Sequence, residues 1–211
     1  MGNLYDNYAQ LAAGEEEGVT YTRTALYRPT TSWASIAIHG GGIEPGSGEL
    51  ALAVGDELMD TYVFAGIKAS HNSDLHITSS HFDEPQCLAL VGAADRCISF
   101  HGYAGTADQA ETALGGLDAD LQRSISAALI DKGFRVISAS SEVAGTYPGN
   151  ICNKDRRGAG VQLELSHALR KSFFPTEDLS RAMRDSGQRT ARFYDYVEAI
   201  KSVVTTFQPA S

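Results

Sequence analysis

Cysteine is scarce and unpatterned in this chain: Cys87, Cys97 and Cys152 make an odd set with no Cys-x-x-Cys spacing. No disulfide framework is implied, and buried free thiols are the expected state. Cys97, on a strand, and Cys152, beside a candidate cleft, are the two that could be exposed. Positive charge is also short, with 17 Lys and Arg against 26 Asp and Glu, a net charge of −9 and a pI of about 5.1. That balance argues against nucleic acid or an anionic membrane as partner. It is awkward for an enzyme acting on a polyanion as well. Yet exposed charges more than about 8–10 Å apart are largely screened at physiological salt, so a local cationic cleft can still hold an acidic chain. No apolar run approaches the roughly 20 residues of a membrane span. The opening MGNLYDNYAQLAAGEEEG has no basic patch followed by an apolar core, so it is not read as a signal peptide. Tyr5-Asp6 after Met1-Gly2 does not fit the myristoylation pattern, which wants Ser or Thr at position six. A soluble, monomeric product made in the cytoplasm is expected, reaching the outside only by lysis or a non-classical route. Internal repeats and low-complexity tracts are absent.

What is present is an ordinary globular composition: 211 residues, 43% of them hydrophobic, enough for one domain with a proper core. Residues 1–20 read as a polar lead-in, with a short helix over 4–12, and residues 21–207 as the domain. Strands are expected at 21–27 (an edge), 33–38, 62–67, 75–78, 97–100, 112–114, 134–138 and 160–166. Helices are expected from Ser47 to about Asp60, over 86–94, from an Asp118 cap to Lys132, and over 176–205 with a break near Ser186-Gly187. Strands and helices alternate throughout. The fold class is therefore α/β, a twisted, mostly parallel or mixed sheet flanked by helices. The stretch 139–159 is long and irregular, and loops of that length in a compact domain are usually functional.

The chemistry is concentrated at strand ends. Ile36-Ala37-Ile38 stops at His39, then come Gly40, Gly41 and Gly42, and then Glu44. Positions five apart on a helix differ by about 140° in direction, so His39 and Glu44 converge only if the glycines fold into a tight loop, which their tolerance of positive φ permits. A second short strand, CISF, also ends in His-Gly, at His101-Gly102. Parallel strands would bring both histidines to the carboxyl edge of the sheet, where open α/β folds keep their sites. His39, Glu44 and His101 then offer two nitrogens and a carboxylate with a fourth position open, the ligand set of a catalytic zinc. In GVQLELS at 160–166, alternation puts Val161, Leu163 and Leu165 on one face and Gln162, Glu164 and Ser166 on the other. A carboxylate on a buried strand needs a partner or a task, and Glu164 suits a general base beside the metal. A rival cluster can be drawn from His71, His76 and His81, spaced five apart, but these do not sit at strand ends. His81, in a loop over the cleft, is either a substrate contact or a surface or packed side chain.

HGGGIEPGSGELA at 39–51, LHITSSHFDEP at 75–85, FHGY at 100–103 and NICNKDRRGAGVQLELS at 150–166 resemble the poly-γ-glutamate hydrolase family, phage-type depolymerases with a zinc-carboxypeptidase-like fold. The resemblance runs from about Tyr27 to Phe174 with the motifs in order. It implies zinc on His39, Glu44 and His101, Glu164 as the catalytic glutamate, and an anionic polypeptide, poly-γ-glutamate, as substrate. Where the family pattern has Asn-Arg after the cysteine, this chain has Asn153-Lys154, with Arg156 and Arg157 following. Asn153, Lys154, Arg156, Arg157 and His81 are the expected contacts with the substrate, whose residues each keep a free α-carboxylate. Two other readings stay open: an amidase or carboxypeptidase acting on another acyl-amino-acid or cell-wall γ-linkage, and a metal-holding phage or structural protein without turnover.

Overall fold

In a computed structural model, residues 4–207 are described. Seven strands form one mixed sheet in the order β1-β3-β2-β4-β7-β5-β6. They are β1 (Tyr21–Leu26), β2 (Trp33–Gly41), β3 (Asp60–Gly66), β4 (Arg96–Tyr103), β5 (Glu111–Gly116), β6 (Arg135–Ser138) and β7 (Val161–Ser166). Pairs β2–β3, β2–β4, β4–β7 and β5–β6 are parallel, while β1–β3 and β5–β7 are antiparallel. The expected α/β architecture is found.

Among the described residues seven α-helices accompany the sheet: α1 (Tyr8–Gly14), α2 (Ser47–Gly55), α3 (Pro85–Ala93), α4 (Ala119–Asp131), α5 (His167–Ser172), α6 (Arg181–Asp185) and α7 (Ala191–Thr206). Among the described residues, none is long and apolar enough to cross a membrane. Helices α2, α4 and α7 cover one face, where Leu50, Val54, Leu121, Ile125, Tyr196 and Ile200 pack on Ile98, Phe100, Val161 and Leu163. The other face carries a smaller core built by α1 and α3, with Leu11, Leu90 and Val91 against Ile36, Ile38, Tyr62 and Phe64. Burial of these side chains removes apolar area from water and drives the layering, at roughly 25 cal/mol per Å2.

Local chemistry explains most element ends. Asp118 accepts from the Leu121 N–H at 3.0 Å and starts α4, and Glu84 caps α3 at Gln86 and Cys87. Gly187, at φ +75°, lies between α6 and α7, so the long C-terminal helix is broken where expected. Helix α2 stops at Gly55 rather than near Asp60. Residues 75–78 are not a strand: a 3-10 turn over Asn72–Leu75 leads into irregular chain. Leu75 and Ile77 are apolar because they pack into the smaller core, not because they pair in the sheet. All three cysteines are free and buried.

Candidate metal centre and cleft

The order of the strands places the site. From β2 the chain moves outward to β3 and then returns to the other side of β2 as β4. That reversal opens a crevice between the carboxyl ends of β2 and β4. Register confirms the parting: β2 and β4 pair only from Trp33↔Arg96 to Ile36↔Ser99.

His39 reaches the crevice through a bulge. Ala37 pairs with Val63 and Gly40 with Ala65, so β2 carries one extra residue there. A bulge turns the following side chain from one face toward the other. Ala37 faces the larger core, whereas His39 stacks on His76 with ring centroids 4.0 Å apart. Beyond the bulge the glycines fold as expected. Gly41 has φ +66°, and a Cβ there would lie 2.3 Å from the Gly66 carbonyl oxygen. The loop closes with the Glu44 N–H donating to the His39 carbonyl at 2.8 Å.

Three donors converge as a result. His39 Nδ1 lies 3.0 Å from Glu44 Oε1, His101 Nδ1 3.5 Å from Glu44 Oε2, and the two Nδ1 atoms 3.1 Å apart. Among the described residues this is the group of histidine, cysteine and acidic side chains arranged to hold a metal ion. Donors on one tetrahedral zinc, at bond lengths of about 2.0–2.1 Å, sit roughly 3.3 Å from one another, so the spacing fits. The outer nitrogens are held too: His39 Nε2 donates to the Ile77 carbonyl at 2.8 Å. His101 Nε2 bonds the Ser99 hydroxyl at 2.8 Å. Such outer bonds fix tautomer and ring orientation in metal-binding histidines, and they leave the lone pair of His39 Nδ1 aimed at a carboxylate. Two acceptors that close repel unless a proton or a cation lies between them.

Glu164 completes the group. It pairs in register with His101 across β4 and β7, and side chains of paired residues share a face. Gln162 Nε2 donates to Glu164 Oε1 at 2.8 Å. Burial, helped by the Glu44 charge, raises the Glu164 pKa against the pull of His101 and Gln162. Burial acts on Glu44 the same way, but His39 and His101 outweigh it and hold Glu44 well below the usual carboxylate range. His101 is drawn toward neutrality by burial, yet the Glu44 hydrogen bond and the Glu164 charge raise its pKa overall.

These four residues line a cleft of about 410 Å3 whose other walls are Thr78, Ser79 and Ser80, Tyr103, and the 141–150 segment with Tyr147 and Asn150. The long irregular loop is thus a cleft wall. The rival histidine cluster is not formed: His76 joins His39, while His71 and His81 are exposed. The expected substrate contacts are mostly elsewhere. Arg156 pairs with Asp95 at 3.2 Å, and Arg157 pairs with Asp118, the cap of α4. Lys154 is exposed, and neither it, the two arginines nor His81 is among the lining residues. Asn153 is buried and acts from behind, its Nδ2 donating to the carbonyls of Gly145 and Tyr147 at 2.7 and 3.0 Å. Among the described residues no Lys or Arg lines this cleft. Gln162 and His76 were not singled out from sequence. Gln162 shares the alternating face of Glu164 and could have been; His76 had no signal separating it from His71 and His81.

Comparison with known proteins gives the family and the fold. The family model for poly-gamma-glutamate hydrolase matches residues 5–199. The chain belongs to the poly-gamma-glutamate hydrolase family. It is 39% identical over 171 residues to the SPbeta prophage-derived protein YoqZ of Bacillus subtilis (strain 168), covering 80% of this chain and 60% of YoqZ. Against YndL of the same organism identity is 36% over 204 residues, covering 94% of this chain and 76% of YndL. The fold matches a bacteriophage poly-gamma-glutamate hydrolase with a TM-score of 0.89 at 39% identity, over 95% of this chain and 96% of that one. It matches a zinc-free apo form of YndL equally well, with a TM-score of 0.89 at 33% identity, over 97% and 98% of the two chains.

Proposed function

We propose that this protein hydrolyses the γ-glutamyl amide bonds of poly-γ-glutamate, with a zinc ion held by His39, Glu44 and His101 and with Glu164 as general base and acid. The observation that carries the reading is the convergence of three strand-end donors and one buried carboxylate in a single cleft, in a chain of this family. When bound, zinc would polarise the scissile carbonyl and lower the pKa of water from 15.7 toward about 7. Glu164 takes the proton from the attacking water and delivers it to the leaving amine. Its raised pKa suits both steps, because a proton carrier works best when its pKa nears the working pH. Gln162 holds one Glu164 oxygen and leaves the other for transfer. Glu44, already well below the usual carboxylate range without a metal, would be an anionic ligand throughout. The α-carboxylates of the substrate meet hydroxyl and amide donors, with Ser79, Ser80 and Tyr147 in reach of the cleft.

The test is the chain length of poly-γ-glutamate after incubation with purified protein, with and without a zinc chelator, beside Glu164→Ala. Shortening that stops on chelation and is lost in the variant is expected. Intact polymer from a zinc-loaded protein would reject the substrate.

A further inference from the structure

Three backbone segments deliver the site: the loop after β2 brings Glu44, β4 brings His101 and β7 brings Glu164. Each ends in a carbonyl that points at the same side chain. Arg170, in α5, donates from Nη1 to the Pro45 carbonyl at 2.9 Å, from Nη2 to the Tyr103 carbonyl at 3.2 Å and from Nε to the Leu165 carbonyl at 3.2 Å. Pro45 follows Glu44, Leu165 follows Glu164, and Tyr103 lies two beyond His101. Arg170 is 5% exposed, and among the described residues no carboxylate lies within ion-pair distance of its guanidinium. A buried cation without such a partner is costly, so its three carbonyl bonds need a reason.

We propose that Arg170 is the positioning residue of this centre, a planar three-way clasp that sets Glu44, His101 and Glu164 relative to one another; the inference rests on the function proposed above. Gly102 is the complementary half. A Cβ there would lie 2.6 Å from the guanidinium carbon, so glycine lets the plane lie against the backbone beside His101. The Gly102 N–H in turn donates to Glu44 Oε2 at 2.8 Å, tying the clasped strand directly to the ligand. A lysine cannot replace this arrangement, because one ammonium on a flexible stem lacks the fixed fork. The positive charge also sits close enough to steady both Glu44 and Glu164.

The experiment compares the full chain with Arg170→Met and Arg170→Lys by kcat and KM on poly-γ-glutamate, by the visible spectrum of the cobalt-substituted protein, and by amide hydrogen exchange at Glu44 and Gly102. Misplacement of about 1 Å can cost on the order of 100-fold in rate, so kcat of Arg170→Met falls by about that factor with KM little changed. Arg170→Lys recovers only part of it. The cobalt spectrum changes, and exchange at both amides quickens. A lower melting temperature with parental kcat, spectrum and exchange would reduce Arg170 to a structural brace and overturn the proposal. If Arg170→Met does not fold, Gly102→Ala displaces the guanidinium while keeping it, and the same three changes are expected; their absence overturns the proposal. Should the parent leave poly-γ-glutamate intact, the substrate reading fails alone, and spectrum and exchange still decide the clasp. Should cobalt not bind, exchange decides it.

Discussion

Strand β7 has two faces that behave as different materials. Val161, Leu163 and Leu165 lie in the larger apolar core, while Gln162, Glu164 and Ser166 point to the cleft side and are just as buried. On the first face nothing needs a specific partner, and stability follows area and fit. On the second every polar group is held: Gln162 by Asn150 and Glu164, and Ser166 by the Glu111 N–H and the Gln109 carbonyl. Buried polar groups are tolerated only when so paired. One strand thereby keeps a costly, chemically useful carboxylate in place by spending the apolar contacts of its reverse side.

Substitutions on the two faces should separate activity from stability. The largest effect is expected for Glu164→Gln, with kcat down by about 100- to 10,000-fold, the usual range for loss of acid–base catalysis. Its stability should move the other way. Because the folded pKa of Glu164 is raised, its ionised form is disfavoured by folding, so stability is greatest below the unfolded pKa and is lost as pH rises through the folded one. At neutral pH the variant should melt no lower than the parent.

Leu163→Ala, next along the same strand, should do the opposite. Large-to-small changes in a core cost about 2–5 kcal/mol, read as a lower melting temperature or denaturant midpoint, while kcat of the folded fraction stays near parental. A large fall in kcat without loss of stability would show the two faces to be coupled.

A smaller effect is expected at Glu44 in the metal-free protein. Its two histidines lower its pKa from the ordinary carboxylate value, so its contribution is fully present above that unfolded value and is lost as pH falls below it toward the folded one. Glu44→Gln should flatten the acid side of the melting temperature against pH. Identical acid limbs in the two proteins would count against the histidine contacts. Smallest is Arg156→Ala. Its exposed pair with Asp95 is worth about 0–1 kcal/mol, and KM should barely move; a large rise in KM would restore this arginine to the substrate site.

The alternation of elements, the two faces of β7 and the strand-end histidines are all legible in the order of residues. These are local properties: period two, glycine after an apolar run, an Asp118 cap and a Gly187 break leave their mark within a few residues. The same order also carried the glycine loop that returns Glu44 toward His39. The one misread element has a physical cause of the same kind: residues 75–78 have the apolar content of a strand but bury it against the smaller core. Composition likewise did not reveal that Arg156 and Arg157, in the basic run after Cys152, pair with Asp95 and Asp118. The rest comes from how the elements pack. The strand reversal between β2 and β4 opens the crevice, and a single extra residue in β2 turns His39 into it. Arg170 joins three carbonyls that are 125, 67 and 5 positions away in the chain. Such contacts depend on how whole elements lie against one another, and no local pattern of residue types records that.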